Sequence, residues 1–153
     1  MTVDRTARGY CWTGSLTDSR SDAWRCFLGN LILDPCFSNE TGTSSFVVCA
    51  DDPWSGVSKL ILTKPLPQDM ANSQTSDPTA SAPWAVELGD GTQCVFLTGA
   101  TSVIAGLRIN YGCAGGGVLV GEPRRQSDAW TIFYGSGYKA NAVTELPIAE
   151  AWW

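Results

Sequence analysis

Where the chain shows hydrophobic periodicity, the period is mostly two. Trp84-Ala-Val-Glu-Leu88 and Leu107-Arg-Ile-Asn-Tyr111 alternate apolar and polar positions, as a strand with one buried face does. Phe46–Cys49, Val57–Thr63, Cys94–Thr98, Val118–Val120, Trp130–Tyr134 and Val143–Ile148 are short runs rich in β-branched and aromatic residues. Turn signals punctuate them: Asp51-Asp-Pro-Trp-Ser-Gly56, Asp90-Gly91 and Gly115-Gly116-Gly117. About eight strands, with turns roughly every ten residues, predict a mainly β protein, a compact antiparallel sandwich or barrel. One segment departs from the pattern. Ser21-Asp-Ala-Trp-Arg-Cys-Phe-Leu-Gly29 reads as one short helix, with Ser21 as N-cap, Asp22 in the first turn and Gly29 as the stop. Asp34-Pro35 then breaks the chain.

Residues 1–8 carry charge without periodicity and are expected as a flexible tail. Residues 9–153 are expected as one domain, since the total of 153 residues fits one. Gln68–Pro83 reads QDMANSQTSDPTASAP, too polar to bury much, and predicts an exposed loop at 68–83 within that domain. Ser21-Asp-Ala-Trp24 recurs as Ser127-Asp-Ala-Trp130, but the residues that follow differ in type, so the echo is coincidence rather than duplication.

Composition narrows the function classes. Charged residues are 16%, below the usual quarter, and uncharged polar residues fill the gap. The net charge of −5 and the scatter of ten Lys and Arg argue against a nucleic-acid partner, whose phosphates need a clustered basic surface. The one adjacent basic pair, Arg124-Arg125, lies near Glu122 and Asp128 and reads as a solvated turn. No apolar run approaches the roughly 18 residues of a membrane span. There is no histidine. That excludes Ser-His-Asp and Cys-His catalysis, His-ligated metals and an imidazole proton shuttle. No cofactor and no metal are expected.

The six cysteines are Cys11, Cys26, Cys36, Cys49, Cys94 and Cys113, and no C-x-x-C pair occurs among them. Their spacing suits disulfides in an oxidising compartment better than a zinc site. Fifteen pairings are open to six cysteines. Local structure prefers one. Cys94 and Cys113 sit in neighbouring predicted strands, Cys36 faces Cys49 across a polar turn, and Cys11 is left with Cys26. The protein is therefore expected to be secreted. Its polar start, Met1-Thr-Val-Asp-Arg-Thr-Ala-Arg8, lacks the apolar core of an export signal, so a mature chain carrying an added initiator Met is expected.

Candidate chemistry rests on carboxylates and aromatics. Asp51-Asp52 beside Pro53-Trp54 is the most suggestive group, because a tryptophan can desolvate a carboxyl and stack a sugar. The competing reading is a solvated turn whose Asp side chains bond the local backbone. Glu87 and Asp34 have no partner visible in the sequence, and Asp69, Asp77 and Asp90 lack the spacing of a calcium loop. Tyr111–Gly117 reads YGCAGGG and lacks the lysine of a phosphate loop. Ser136, between Gly135 and Gly137, has no histidine to activate it, and nothing places Lys59, Lys64 or Lys139 beside it. Asn39-Glu40-Thr41 is a glycosylation sequon. Of the seven tryptophans, Trp12, Trp24, Trp84 and Trp130 are expected in the core. Trp54 at a loop edge and Trp152-Trp153 at the end of the chain are the candidates for ligand contact.

The segments DAWRCFLGNLILDPCF, VVCADDPW, CVFLTGAT, GLRINYGC and WTIFYG resemble segments of small secreted cysteine-containing proteins of actinobacteria, over most of residues 9–153. The resemblance implies export and structural disulfides. It carries no activity and no site residue.

These readings converge on a non-catalytic extracellular module that contacts a protein or a cell-surface glycan through loops and exposed aromatics, with Asp51, Asp52, Trp54, Trp152 and Trp153 as its contact residues. Two other classes stand beside it. A secreted glycan hydrolase would need two facing carboxylates. A protease inhibitor would present a braced loop, for which Gln68–Pro83 is the available segment.

Overall fold

A computed structural model describes residues 2–39, 44–71, 82–126 and 129–153. The protein is mainly β with three disulfides, as the alternating pattern predicts. By its contacts the chain falls into two compact units, Met1–Ser81 and Ala82–Trp153. The boundary lies inside the polar stretch 68–83. Each unit has its own sheet and core.

The first unit is a closed five-stranded barrel of β1 (Val3–Gly14), β2 (Ala23–Leu28), β3 (Leu31–Phe37), β4 (Phe46–Cys49) and β5 (Val57–Leu62). Consecutive strands pair antiparallel. Five is an odd number, so an up-and-down chain brings the last strand back in the direction of the first, and β1 closes on β5 in parallel. Trp24, Cys26, Leu33, Cys36, Val47, Cys49 and Leu60 turn inward with Cys11 and Leu66.

Three expectations are corrected here. Residues 3–8 are the first half of β1, not a tail, and pair with Val57–Ile61. Their side chains are largely exposed and leave no apolar period to read; backbone hydrogen bonding to β5 holds them. Ser21–Gly29 is not a helix. Trp24 and Cys26 face the core while Arg25 and Phe27 face out, a period of two, and Gly29 takes φ +61° in the Gly29-Asn30 hairpin. Asp34-Pro35 does not break the chain either: it lies within β3, with a cis peptide bond, where the register with β2 shifts.

The second unit is a ring of six antiparallel strands: β6 (Ala85–Leu88), β7 (Gln93–Phe96), β9 (Leu107–Cys113), β10 (Val118–Arg125), β11 (Trp130–Gly135) and β12 (Thr144–Trp152). Six is even, and the closing pair β12–β6 is antiparallel. The two-residue β8 (Val103–Ile104) forms a hairpin with β9. Val86, Leu88, Cys94, Tyr111, Leu119 and Ile132 form one core. Val118 and Val120 alternate with Leu119 and pack instead with Ile104 and Ile109. Tyr111 is fully buried, donates its hydroxyl to the Pro83 carbonyl at 2.8 Å, and meets the edge of Phe96. Burial pushes its phenol pKa well above the ordinary value. Arg124-Arg125 belongs to β10, not to a turn: Arg124 pairs with Glu145 at 3.1 Å and Arg125 covers Trp130.

The bridges are Cys11–Cys26, Cys36–Cys49 and Cys94–Cys113, the preferred pairing. In each, the two cysteines stand directly opposite on neighbouring antiparallel strands. The helical pieces among the described residues are single 3-10 turns at Gln68–Met70 and Ala114–Gly116.

Candidate binding site

Among the described residues, the first barrel carries clefts at two separate places. One is bounded by Thr2, Asp4, Pro53, Trp54, Ser55 and Gly56, with a volume of about 540 Å³. Trp54, half-buried, therefore lines a cleft, but Asp51 and Asp52 do not. Asp52 is used locally. Its Oδ1 accepts from the Trp54 and Ser55 amides at 2.9 and 2.6 Å, and its Oδ2 accepts from the Ser55 hydroxyl at 2.8 Å. This is the turn-forming role of aspartate, and it holds Trp54 in place. The carboxylate in the cleft is Asp4, which sits over Gly56 so closely that a Cβ there would overlap it. One lining carboxylate falls short of the pair that glycoside hydrolysis requires.

The other cleft, about 570 Å³, is bounded by Ser44, Ser45, Leu62, Thr63, Lys64, Pro65, Leu66 and Gln68. Its volume suits a small ligand or one or two units of a polymer. Leu62, Pro65 and Leu66 give it an apolar floor; three hydroxyls, an amide and an ammonium stand around them. Its walls are tied down. Leu62 donates to the Ser45 carbonyl at 2.9 Å, and Thr63 donates its amide and its hydroxyl to the Gly9 carbonyl at 2.8 and 3.0 Å. Gly9 has to be glycine, because a Cβ would run into the Phe27 carbonyl where β1 crosses β2.

Lys64 joins this cleft to an aromatic ladder on the outside of the barrel. Its Nζ lies 4.2 Å from the centre of the Tyr10 ring. Tyr10 stands 5.6 Å from Phe27, Phe27 stacks on Trp12 at 4.0 Å, and the Arg25 guanidinium covers Trp12 at 5.6 Å. Ile32, 47% exposed, is opposite Phe27 on β3. Each ring of the ladder is half-buried. A second cation–ring pair, Lys59 over Phe46 at 4.1 Å, joins β5 to β4 on the same barrel.

Trp12, expected in the core, is half-buried on the outside of the barrel. Cys11 is the inward residue of that pair, so by the strand period Tyr10 and Trp12 face outward. Trp24 and Trp84 are buried as expected, at 2% and 6% exposure. Trp130 is half-buried beneath Arg125 and meets Trp153 edge-on at 5.4 Å. Trp152 and Trp153 are half-buried in the second unit, where Trp152 pairs with Ala85 and accepts a hydrogen bond from the Trp84 amide. The five candidate contact residues thus fall in different units, three in the first and two in the second.

A buried polar clamp closes the connection between β1 and β2. The Ser15 hydroxyl accepts from the Thr17 and Asp18 amides, both at 3.0 Å, and donates to Asp34. Asp34 also accepts from the Leu16 amide and the Thr17 hydroxyl, each at 3.1 Å, and pairs with Arg25 at 3.7 Å. Desolvation raises the pKa of neighbouring Asp18. These carboxylates line neither cleft.

Among the described residues, the one group of acidic, Cys or His side chains close enough to hold a metal is the sulfurs of Cys26, Cys36 and Cys49, all consumed in disulfides. The sequon Asn39-Glu40-Thr41 lies partly outside the described residues, and so do 72–81 of the 68–83 stretch and the Ser127-Asp128 echo. Among the described residues no helix is long and apolar enough to cross a membrane. Comparison with protein-family models, with curated proteins and with solved structures finds no match.

Proposed function

We propose that this is a secreted, non-catalytic binding module and that its ligand is a glycan, seated in the cleft at Ser44, Ser45, Thr63, Lys64 and Gln68 and extending onto the ladder at Tyr10. The observation that carries this reading is the continuity of the two features through Lys64. Sugars present hydroxyls to hydrogen-bonding side chains and apolar ring faces to aromatic or aliphatic surface, and both kinds of surface occur here side by side. The three disulfides fit an oxidising, extracellular setting.

The test is a panel of immobilised glycans probed with the full chain, followed by calorimetric titration of whatever binds. Tyr10→Ala should weaken binding by about two- to tenfold, since a ring contact is worth about 0.5–1.5 kcal/mol. Binding that survives Tyr10→Ala and Lys64→Ala unchanged would remove this site from the reading.

A further inference from the structure

The chain is acidic overall, yet its first barrel has a strip that is not. Arg8 lies opposite Ile61, and Lys59 opposite Thr6, on the parallel β1–β5 pair. Two residues beyond Arg8 and Ile61 come Tyr10 and Thr63, the latter just past the end of β5, and then Lys64 at the cleft. Arg8 and Lys64 are exposed and Lys59 is half-exposed. None of the three makes an ion pair among the described residues, whereas Arg20, Arg25 and Arg124 each have a carboxylate partner. The carboxylate that belongs to this strand pair, Asp4, sits at the opposite end, over Gly56. From Lys59 to Lys64 the extended chain covers about 16 Å. The basic strip runs along the sheet into the cleft.

Cations left unpaired beside a cleft, in a protein with fifteen carboxylates, are a poor match for a neutral ligand and a good one for an anionic polymer. We infer that the ligand of this site is a linear polyanionic glycan, with its charged groups tracked by Lys59, Arg8 and Lys64 and one sugar unit held in the cleft. This rests on the glycan reading above and narrows it to a ligand class. The anion is a carboxylate or an ester of phosphoric or sulfuric acid; the strip's chemistry is common to all three.

Polygalacturonate and its fully methyl-esterified form share a backbone and differ in charge, so they separate the two levels of the reading. Calorimetry with the full chain should show polygalacturonate binding at least tenfold more tightly than the ester. Its affinity should fall with roughly the second power of salt concentration, as for about three released counterions at ~0.7 per contact. Dextran sulfate and a teichoic-type polyol phosphate, run alongside, identify which anion is preferred. The combined Arg8→Gln, Lys59→Gln, Lys64→Gln variant should lose at least tenfold in affinity for the polyanion, with its circular dichroism and thermal midpoint checked against wild type. Lys139→Gln, an exposed cation of the other unit, should change nothing. Equal binding of polyanion and ester would overturn the charge inference and leave the glycan reading standing. Binding to no glycan of any charge would overturn both. A single-stranded oligonucleotide of matched charge that binds as tightly as the polyanionic glycans would also overturn the inference, because the site would then be reading charge without sugar.

Discussion

Reduction should unfold the two units in order, the first before the second. The bridges of the first unit close loops of 15 and 13 residues, and that of the second closes 19. On loop-closure entropy each is worth about 3 kcal/mol, so full reduction costs the first unit about 6 kcal/mol and the second about 3 kcal/mol. Domains of this length are ordinarily stable by roughly 0.1 kcal/mol per residue, or about 7–8 kcal/mol for each unit. The first is left marginal and the second keeps more than half. Packing pushes the same way. Four of the nine buried residues in the first core are the bridging cysteines, against one of six in the main core of the second. Hydrogen–deuterium exchange read by mass spectrometry, with and without a phosphine reductant, would follow both units in one sample. Peptides from β2–β5 should lose protection while those from β6–β12 retain most of theirs. Loss of protection in the second unit first, or in both at once, would refute the assignment of stability to the bridges.

Ser15→Ala removes the hydroxyl that two buried amides and Asp34 share, and should cost about 2–4 kcal/mol in denaturant unfolding; a loss under about 0.5 kcal/mol would show that the clamp is not structural. Asp18 has its pKa raised in the fold, so its contribution to stability is full below the unfolded value near ~3.9 and is lost as pH rises through the folded value. Asp18→Asn should therefore gain on wild type as pH rises above that unfolded value, and a difference constant with pH would contradict the buried-charge account. Tyr111 is raised as well: the native state keeps its proton while the unfolded chain releases one above about pH 10. Wild-type stability should then decline above that pH more steeply than that of Tyr111→Phe, measured by urea titrations at pH 8 to 11. Parallel slopes would exclude Tyr111 as the source.

The fold class and the bridges were legible because both rest on local pattern. Cys94 and Cys113 sit in strands whose alternation is plain, and cysteines on neighbouring antiparallel strands meet wherever the register sets them opposite. β2 looks helical in sequence because Ser21, Asp22 and Gly29 offer helix-end chemistry, but such end signals are worth about one kcal/mol each, less than the burial of Trp24 and Cys26 on one side of a strand. The first half of β1 left no trace, since a strand exposed at both alternate positions has no period and is held by backbone pairing with β5, more than fifty residues away. The cleft was equally hidden. Ser44, Ser45, Thr63 and Gln68 are common surface residue types in no motif, and the hydrogen bonds from Leu62 to Ser45 and from Thr63 to Gly9 bring them together. The ladder was accessible in principle: once Cys11 and Cys26 are placed inside, Tyr10, Trp12, Arg25 and Phe27 have to be outside.

Closure of the sheets bears on how such a protein can recognise anything. A sheet with free edges can bind a peptide by adding it as a strand. Here β6 is paired along its length to β7 and β12 and offers no free edge, whereas β1 divides its pairing, Val3–Gly9 to β5 and Tyr10–Gly14 to β2. The barrel interior of the first unit is filled by two disulfides, Trp24 and aliphatic side chains, which leaves the outside of the barrel for a ligand. On those surfaces the cation–ring pairs Lys59–Phe46, Lys64–Tyr10 and Arg25–Trp12 are spread across β4, β5, β1 and β2. Arg25 is committed to Asp34, whereas Lys59 and Lys64 pair with no carboxylate among the described residues. A ligand that supplies negative charge can engage these two without breaking an ion pair, and that difference in cost is what sets the strip leading to the cleft apart from the rest of the ladder.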